Sequence, residues 1–549
     1  MKVAAMMAEI LKREGVRVLP AYPLNNLIEA AADIGIPPVI VRQERVAVHM
    51  ADAISRLSAG DTVGVTCMQA GPGVENAFGA VAQAWSEAVP LVAIPGGSAR
   101  SQAFIKPGFN ATLNFQQITK WSEFVSTASQ VAPAMKRAFT QARNGRPGPV
   151  LLEIPGDLWN EEAGDLDYTP ARRILSQPSD DDIERAAKVL IDAKRPLIYA
   201  GQGVHYARAW AELRELAELL EVPVTTSLEG KSAFPENHSL SLGSGGVAMP
   251  GQVFEHVKDA DVVFGVGASF TQTGFGIRFP RIGKIYIHNC NDPIDINKNV
   301  QSDYPLIGDA KLTLQALIAA VKDRIGRARG RKEEVVARIA GQREAWLKDW
   351  APRLNSNAAP LSPYRVIRDL LATCDVANTI ITHDAGSPRD ELSPFWQTTA
   401  PHTYIGWGKT TQLGYGLGLA MGAKLAKPDK LCINTWGDAA IGMTGMDFET
   451  AVRCKIPVLS ILFNNFSMAM ENQIMKLSMD KYRSTDISGN YSEFAKALGG
   501  YGERITAAAD IVPALKRGIA ATKDGTPALL EFITTTEKAY STFQYSYHS

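Results

Sequence analysis

The sequence predicts an α/β protein of three domains, each built on a doubly wound parallel sheet. Three observations lead there. Short β-rich runs alternate with helical patterns along the chain, which is the pattern of parallel sheets covered on both faces. A first and a third block share one outline, while the block between them differs. The length of 549 residues suits about three to four domains of ordinary size.

The first block covers 1–165. Runs at 16–21, 39–42, 62–67, 89–94 and 150–154 read as strands, and 45–57 and 74–86 read as helices. The polar, proline-containing stretch 165–181 reads as a linker. The second block covers 182–327. It holds apolar runs at 196–200, 262–266 and 284–288 and a helical pattern at 207–220. Its Gly201-Gln202-Gly203 turn lacks the third glycine of a dinucleotide fingerprint and reads as a helix-capping turn. The charged stretch 322–353 reads as a surface helix crossing to the next block. The third block covers 360–549. There a turn at Gly437-Asp438-Ala439-Ala440 leads to a helix and then to a strand from Ile456. That outline matches Gln69-Ala-Gly-Pro-Gly-Val74, a helix and the run 89–94 in the first block.

Composition narrows the function. Lys+Arg and Asp+Glu are equal at 57 each, so no cationic excess favours nucleic acid or an anionic membrane. The five cysteines are scattered, without a Cys-x-x-Cys pair, and read as thiols of a reducing compartment. Glu9, Lys12 and Arg13 break any signal-peptide layout, and no run of about 20 apolar residues occurs. The expectation is a cytoplasmic protein without a membrane span.

The most informative spacing lies in the third block. The run 430–436 is closed by Gly437-Asp438, and the run 456–463 is closed by Asn464-Asn465, with a helix at 443–452 between them. A right-handed βαβ crossover makes these strands parallel, so their carboxyl ends share one rim. A carboxylate and an amide oxygen then meet in one crevice. Oxygen-only ligation suits Mg2+ or Ca2+ and is poor for zinc. A Mg2+ held by one or two protein oxygens keeps positions open for phosphates.

Gly437-Asp438-Ala439, a helix, a strand and Asn464-Asn465 resemble the thiamine diphosphate signature. Ala439 stands where that signature carries glycine, a strained choice if the backbone needs positive φ. The block order resembles the pyrimidine-binding, central and diphosphate-binding domains of the acetolactate synthase and pyruvate decarboxylase superfamily. Glu229-Gly-Lys-Ser-Ala-Phe-Pro-Glu-Asn-His238 and Pro305-Leu-Ile-Gly-Asp-Ala310 also look like acetolactate synthase.

The resemblance implies thiamine diphosphate and Mg2+ as cofactors and assigns roles by position. Asp438, Asn465 and the main-chain oxygen of Ser467 would hold the metal. Gly437, Ala439 and Ala440 would complete the diphosphate turn, and Gly386 and Ser387 would flank it. Leu413 would be the apolar wedge that bends the cofactor, with the backbone of Thr411 and Leu413 on the pyrimidine edge. Glu44, which ends a strand and opens a helix, would be the carboxylate that drives the pyrimidine tautomer. Asn25, Gln69 and Gln116 fall where relatives contact substrate; as residues alone, each reads equally well as a plain loop residue. His49, His205, His256 and His402 show no pairing. Asn289 stands where flavin-binding relatives carry an acid, which argues against FAD.

Glu471 and Ile474 separate subfamilies. Pyruvate decarboxylase-like enzymes carry the acid at 471, whereas acetolactate synthases carry tryptophan at 474. The resemblance therefore implies an enzyme that cleaves or forms a C–C bond beside a carbonyl, preferably a 2-oxo acid decarboxylase or lyase with carboligase activity. The alternatives are an acetolactate synthase-type transferase and a 2-hydroxyacyl-CoA lyase. Glu44 argues against a protein that merely binds thiamine, since binding alone needs no proton relay. Expected partners are small 2-oxo acids or aldehydes, with a homodimer or homotetramer placing sites at the subunit interface. The tail 538–549, with four aromatics, would close over the site.

Overall fold

The computed structural model describes residues 1–280 and 282–541. Each block folds around a six-stranded, all-parallel sheet flanked by helices. The first sheet comprises β1 (Leu19–Ala21), β2 (Pro38–Ile40), β3 (Gly64–Met68), β4 (Leu91–Gly97), β5 (Trp121–Phe124) and β6 (Pro149–Pro155), in the order β2-β1-β3-β4-β6-β5. The central sheet comprises β7 (Pro196–Ala200), β8 (Val224–Thr226), β9 (Ser241–Ser244), β10 (Val262–Val266), β11 (Ile285–Cys290) and β12 (Tyr304–Ile307). Its order, β12-β11-β10-β7-β8-β9, is that of a dinucleotide-binding sheet with its reversal between β7 and β10. The third sheet comprises β13 (Thr379–His383), β14 (Tyr404–Ile405), β15 (Leu431–Gly437), β16 (Leu459–Asn464), β17 (Tyr501–Ile505) and β18 (Ala528–Ile533). Its order, β14-β13-β15-β16-β18-β17, repeats that of the first sheet strand for strand. The predicted fold class is thus observed.

Several elements differ from expectation. The edge strand β5 was not foreseen, because Trp121-Ser-Glu-Phe124 is partly exposed throughout and lacks the apolar run of its neighbours. The helical pattern at 207–220 is two helices, Gly203–Ala207 and Trp210–Leu220, separated where Arg208 turns left-handed. The pattern at 443–452 is broken into Asp438–Thr444, a 3-10 turn and Phe448–Arg453. The charged stretch 322–353 is also not one helix. Gly326, left-handed, caps Ala310–Ile325, and a second helix runs from Lys332 to Leu354. That second helix is not only a surface element: Trp346 stacks on Phe395 at 4.8 Å, and Trp350 meets Tyr364 at 4.8 Å.

The first and third blocks pack through two helices. Glu44–Leu57 buries all its residues except Arg45, and Tyr415–Ala426 is apolar and buried over its first nine positions. A Cβ on Gly422 would lie 2.3 Å from the carbonyl oxygen of Met50, so only glycine lets the helices approach this closely. A buried Asp52–Arg56 ion pair at 2.6 Å fixes the same crossing. Tyr415 Oη donates to Asp52 at 2.9 Å, and Arg56 donates to the carbonyl of Gly406 at 2.8 Å. Gly422→Ala should lower stability by about 1–3 kcal/mol through overpacking. Urea unfolding reads this as a lower midpoint at unchanged slope; an unchanged midpoint would contradict the packing account.

Candidate functional site

The third sheet pairs β13 with β15 and β15 with β16 in parallel, so three strand ends face one crevice. From the turn after β13 come Gly386 and Ser387. From β15 come Gly437 and Asp438, with Ala439 and Ala440 in the helix that follows. From the chain after β16 come Asn465, Ser467 and Glu471. Leu413 enters from the loop before helix Tyr415–Ala426. All these residues line one cleft of about 590 Å³.

The polar atoms of the cleft are organised. The backbone N–H of Ser467 donates to Asp438 Oδ2 at 3.2 Å and to Asn465 Oδ1 at 3.1 Å. One amide thus draws the two side-chain oxygens together. Asp438 Oδ1 accepts from the N–H of Ala439 at 2.9 Å. Burial pushes the Asp438 carboxyl up to about 6, opposed by backbone N–H groups of residues 439 and 465–467. Asn464 points elsewhere: its Nδ2 donates to Glu531 on β18 at 2.8 Å. Gly386 has φ 84°, and nothing lies within 4 Å of where its Cβ would be, so the turn leaves open space beside Ser387. Ala439 sits in helical geometry, so replacing the signature glycine costs no backbone strain. Paired oxygens, an open turn and small side chains at 439 and 440 fit a divalent cation carrying a diphosphate.

Comparisons with known proteins agree with this geometry. Residues 1–118 match the thiamine pyrophosphate enzyme N-terminal TPP binding domain, 183–317 the central domain and 384–532 the C-terminal TPP binding domain. A probable acetolactate synthase large subunit of Methanocaldococcus jannaschii is 30% identical, over 97% of this chain and 92% of that protein. One from Methanococcus aeolicus is 31% identical over the same shares, 97% and 92%. The acetolactate synthase isozyme 3 large subunit of Escherichia coli K12 is 28% identical, over 91% of this chain and 88% of that protein. The chain belongs to the thiamine diphosphate-dependent enzymes of the acetolactate synthase and pyruvate decarboxylase superfamily.

In this thiamine diphosphate enzyme the sequence candidates Glu44, Gln69, Gln116 and Asn25 lie in the first block, and none of them lines the cleft. Glu44 is buried, and Asn76 Nδ2 donates to its Oε2 at 2.7 Å. A Cβ on Gly73 would meet Gln69 Cβ at 2.9 Å and Glu44 Oε1 at 3.2 Å, so Glu44 and Gln69 share one crowded corner. Gln116 is exposed on a 3-10 turn. Asn25 caps helix Asn26–Asp33 through the N–H of Leu27, and its amide donates to the carbonyls of Met68 and Ile94, each at 3.0 Å. Those bonds use both amide hydrogens of Asn25. Thr411 is half-buried beside a docked loop, since Gln83 accepts from Thr410 Oγ1 and from the N–H of Gln412. Glu471 opens a 3-10 turn and is exposed at the cleft mouth in the single chain. Ile474 is 86% exposed. His49, His205 and His256 are buried, and His205 meets His402 edge-on at 4.8 Å, a pairing invisible in sequence.

A second cleft, of about 940 Å³, opens at the carboxyl edge of the central sheet, beside Gly201, Gly267, Asn291 and Lys409. Its place at the strand-order reversal is where such sheets take nucleotide-like ligands. A Cβ on Gly203 would lie 2.6 Å from Gly267 Cα, so that glycine serves turn-on-turn packing. Asn289 is fully buried, and its Nδ2 donates to the carbonyls of Leu306 and Gly308 and to Thr313 Oγ1.

Two carboxyl groups at the main cleft escaped the sequence reading. Glu391 lines it directly. Asp384 is fully buried and organises the loop that carries Leu413. Its carboxylate accepts from the N–H groups of Ala385 at 2.8 Å and of Gly414 and Gly416 at 2.9 Å. Burial pushes its carboxyl up to about 6, against these three N–H groups. Asp384→Ala should cost about 2 kcal/mol or more, since it leaves buried N–H groups without acceptors. Hydrogen exchange at the amides of 414 and 416 should accelerate; unchanged protection there would remove Asp384 as the organiser of the wedge loop.

Proposed function

We propose that this protein uses thiamine diphosphate and Mg2+ to join two 2-oxo acids, as an acetolactate synthase-type transferase with carboligase activity. The likeness that carries the reading spans almost the whole chain and covers both cofactor-binding units together. When bound, the cofactor supplies the nucleophilic carbon and electron sink that C–C chemistry beside a carbonyl requires. Asp438, Asn465 and the main-chain oxygen of Ser467 would hold Mg2+, whose charge would favour the ionised form of Asp438 against the effect of its burial. Gly386, Ser387 and Gly437 through Ala440 surround the diphosphate. Leu413 wedges the rings apart, and the backbone of Thr411 and Leu413 positions the pyrimidine. Glu44 holds a proton against the pyrimidine nitrogen, and Gln69 and Gln116 face the substrate. No step in this reading uses FAD. The units run 1–165, 182–327 and 360–549, and the protein works in the cytoplasm.

Two observations support a homodimer, or a homotetramer of two such dimers, with Glu44 supplied across the interface. The cleft is lined by third-block residues alone. Large apolar side chains also stand exposed on both blocks: Leu24, Phe78 and Leu113 on the first, and Met446, Phe466 and Leu477 on the third. A two-fold contact that sets one group on the other would cover both patches and complete two sites.

Glu471 favours a second reading, a 2-oxo acid decarboxylase or lyase. It lines the cleft, where a carboxyl group could protonate the bound fragment and release an aldehyde. Product stoichiometry separates the two. Cofactor-loaded protein given one 2-oxo acid should release one CO₂ for every two acids consumed and form a 2-hydroxy-3-oxo acid. Glu471→Gln should raise the share of ligation product further. One CO₂ per acid consumed, with only aldehyde formed, would overturn the transferase reading.

A further inference from the structure

Glu391 lies on the short helix Ser387–Leu392, one turn beyond Ser387 and on the same face. It is only 3% exposed, yet it lines the cleft that holds Asp438 and Asn465. Among the described residues no cation pairs with it, and its carboxyl group has no hydrogen-bond partner. Most polar groups around it have other partners, and the one buried guanidinium nitrogen left unpartnered, Arg389 Nη1, makes no hydrogen bond or ion pair with Glu391. Arg389 is bound to Asp390 through two contacts at 2.8 and 2.9 Å. Tyr364 Oη donates to the carbonyl of Ala539 at 2.6 Å, and the hydroxyls of Tyr540 and Ser387 are 2.8 Å apart. The other acidic neighbour, Glu537, has its own cation, Arg353, 3.9 Å away.

We infer that Glu391 is a neutral carboxylic acid that donates a hydrogen bond to the anionic end of the bound cofactor. The inference rests on reading this cleft as the diphosphate site. Two nearby carboxylates and no cation oppose ionisation at 391. Burial, then Glu537, then Asp390 push its carboxyl up to about 8. The protonated form has one O–H to donate, and no described protein acceptor takes it. An ionised Glu391 would repel a diphosphate; a protonated one binds it. The sequence alone suggests no such role, because an acid beside an anion site reads as misplaced.

Calorimetry with thiamine diphosphate and saturating Mg2+ tests this on wild-type protein, Glu391→Gln and Glu391→Ala, from about pH 6.5 to about pH 9.5. Glutamine keeps the shape and a donor but cannot ionise. At neutral pH Glu391→Gln should bind like wild type, and Glu391→Ala should bind about tenfold or more weakly. Above about pH 8 wild type should weaken as its donor is lost, while Glu391→Gln should not. Titration of the cofactor's own phosphate is common to both proteins and cancels. If the alanine variant does not fold, the wild-type and glutamine profiles decide alone. Identical pH profiles, or a glutamine variant that weakens binding as much as alanine, would overturn the inference. Wild-type protein that binds no thiamine diphosphate would overturn the functional reading beneath it.

Discussion

The register of three parallel strands governs the rest of the site. His383 on β13 pairs with Thr435 on β15, and Gly437 pairs with Phe463 on β16. That alignment ends the strands together, so Asp438 and Asn465 leave the sheet at one level and the N–H of Ser467 can reach both. A slip of one residue would send every side chain to the opposite face. Full burial on both faces forbids it, since β16 is buried along its whole length.

Rigidity around this rim comes from buried polar groups with definite partners. Asp384 ties the turn after β13 to the loop carrying Leu413, so two walls of the cleft move as one. Asp52, Arg56 and Tyr415 fix the helix that follows that loop against the first block. Glu531 on β18 receives Asn464 Nδ2 from β16 on one side and the guanidinium of Arg504 from β17 on the other. Truncating either side of such buried pairs leaves an uncompensated group, which costs more than the pair contributes. Catalytic geometry of this kind depends on a supporting layer of partners held by packing.

Much of this was legible in the chain. Apolar runs alternating with helical patterns identify the sheets, and Gly437-Asp438 with Asn464-Asn465 marks the rim. What remained hidden depends on partners distant in sequence. Asn25 looks like a free polar loop residue until Met68 and Ile94 bring their carbonyls to it. Asp384 is one acid in an unremarkable turn until Gly414 and Gly416 fold over it. Glu391 carries no motif signal, and its charged neighbour Glu537 lies far along the chain. Of the predicted tail closure, residues through Ser541 dock between blocks: Ser541 Oγ donates to the carbonyl of Met249 and accepts from Trp346 Nε1. Residues 542–549 lie outside the described chain.

The central claim is that a metal–diphosphate cleft built by one chain is completed by Glu44 of another. Mixing two inactive proteins, Glu44→Gln and Asp438→Ala, under conditions of subunit exchange tests it most directly. In a two-fold dimer each mixed pair contains one site with both mutations and one with neither. Equal mixing should therefore restore about a quarter of wild-type activity. No recovery, with mixed dimers shown to be present, would place Glu44 and Asp438 of each site on the same chain and contradict the account.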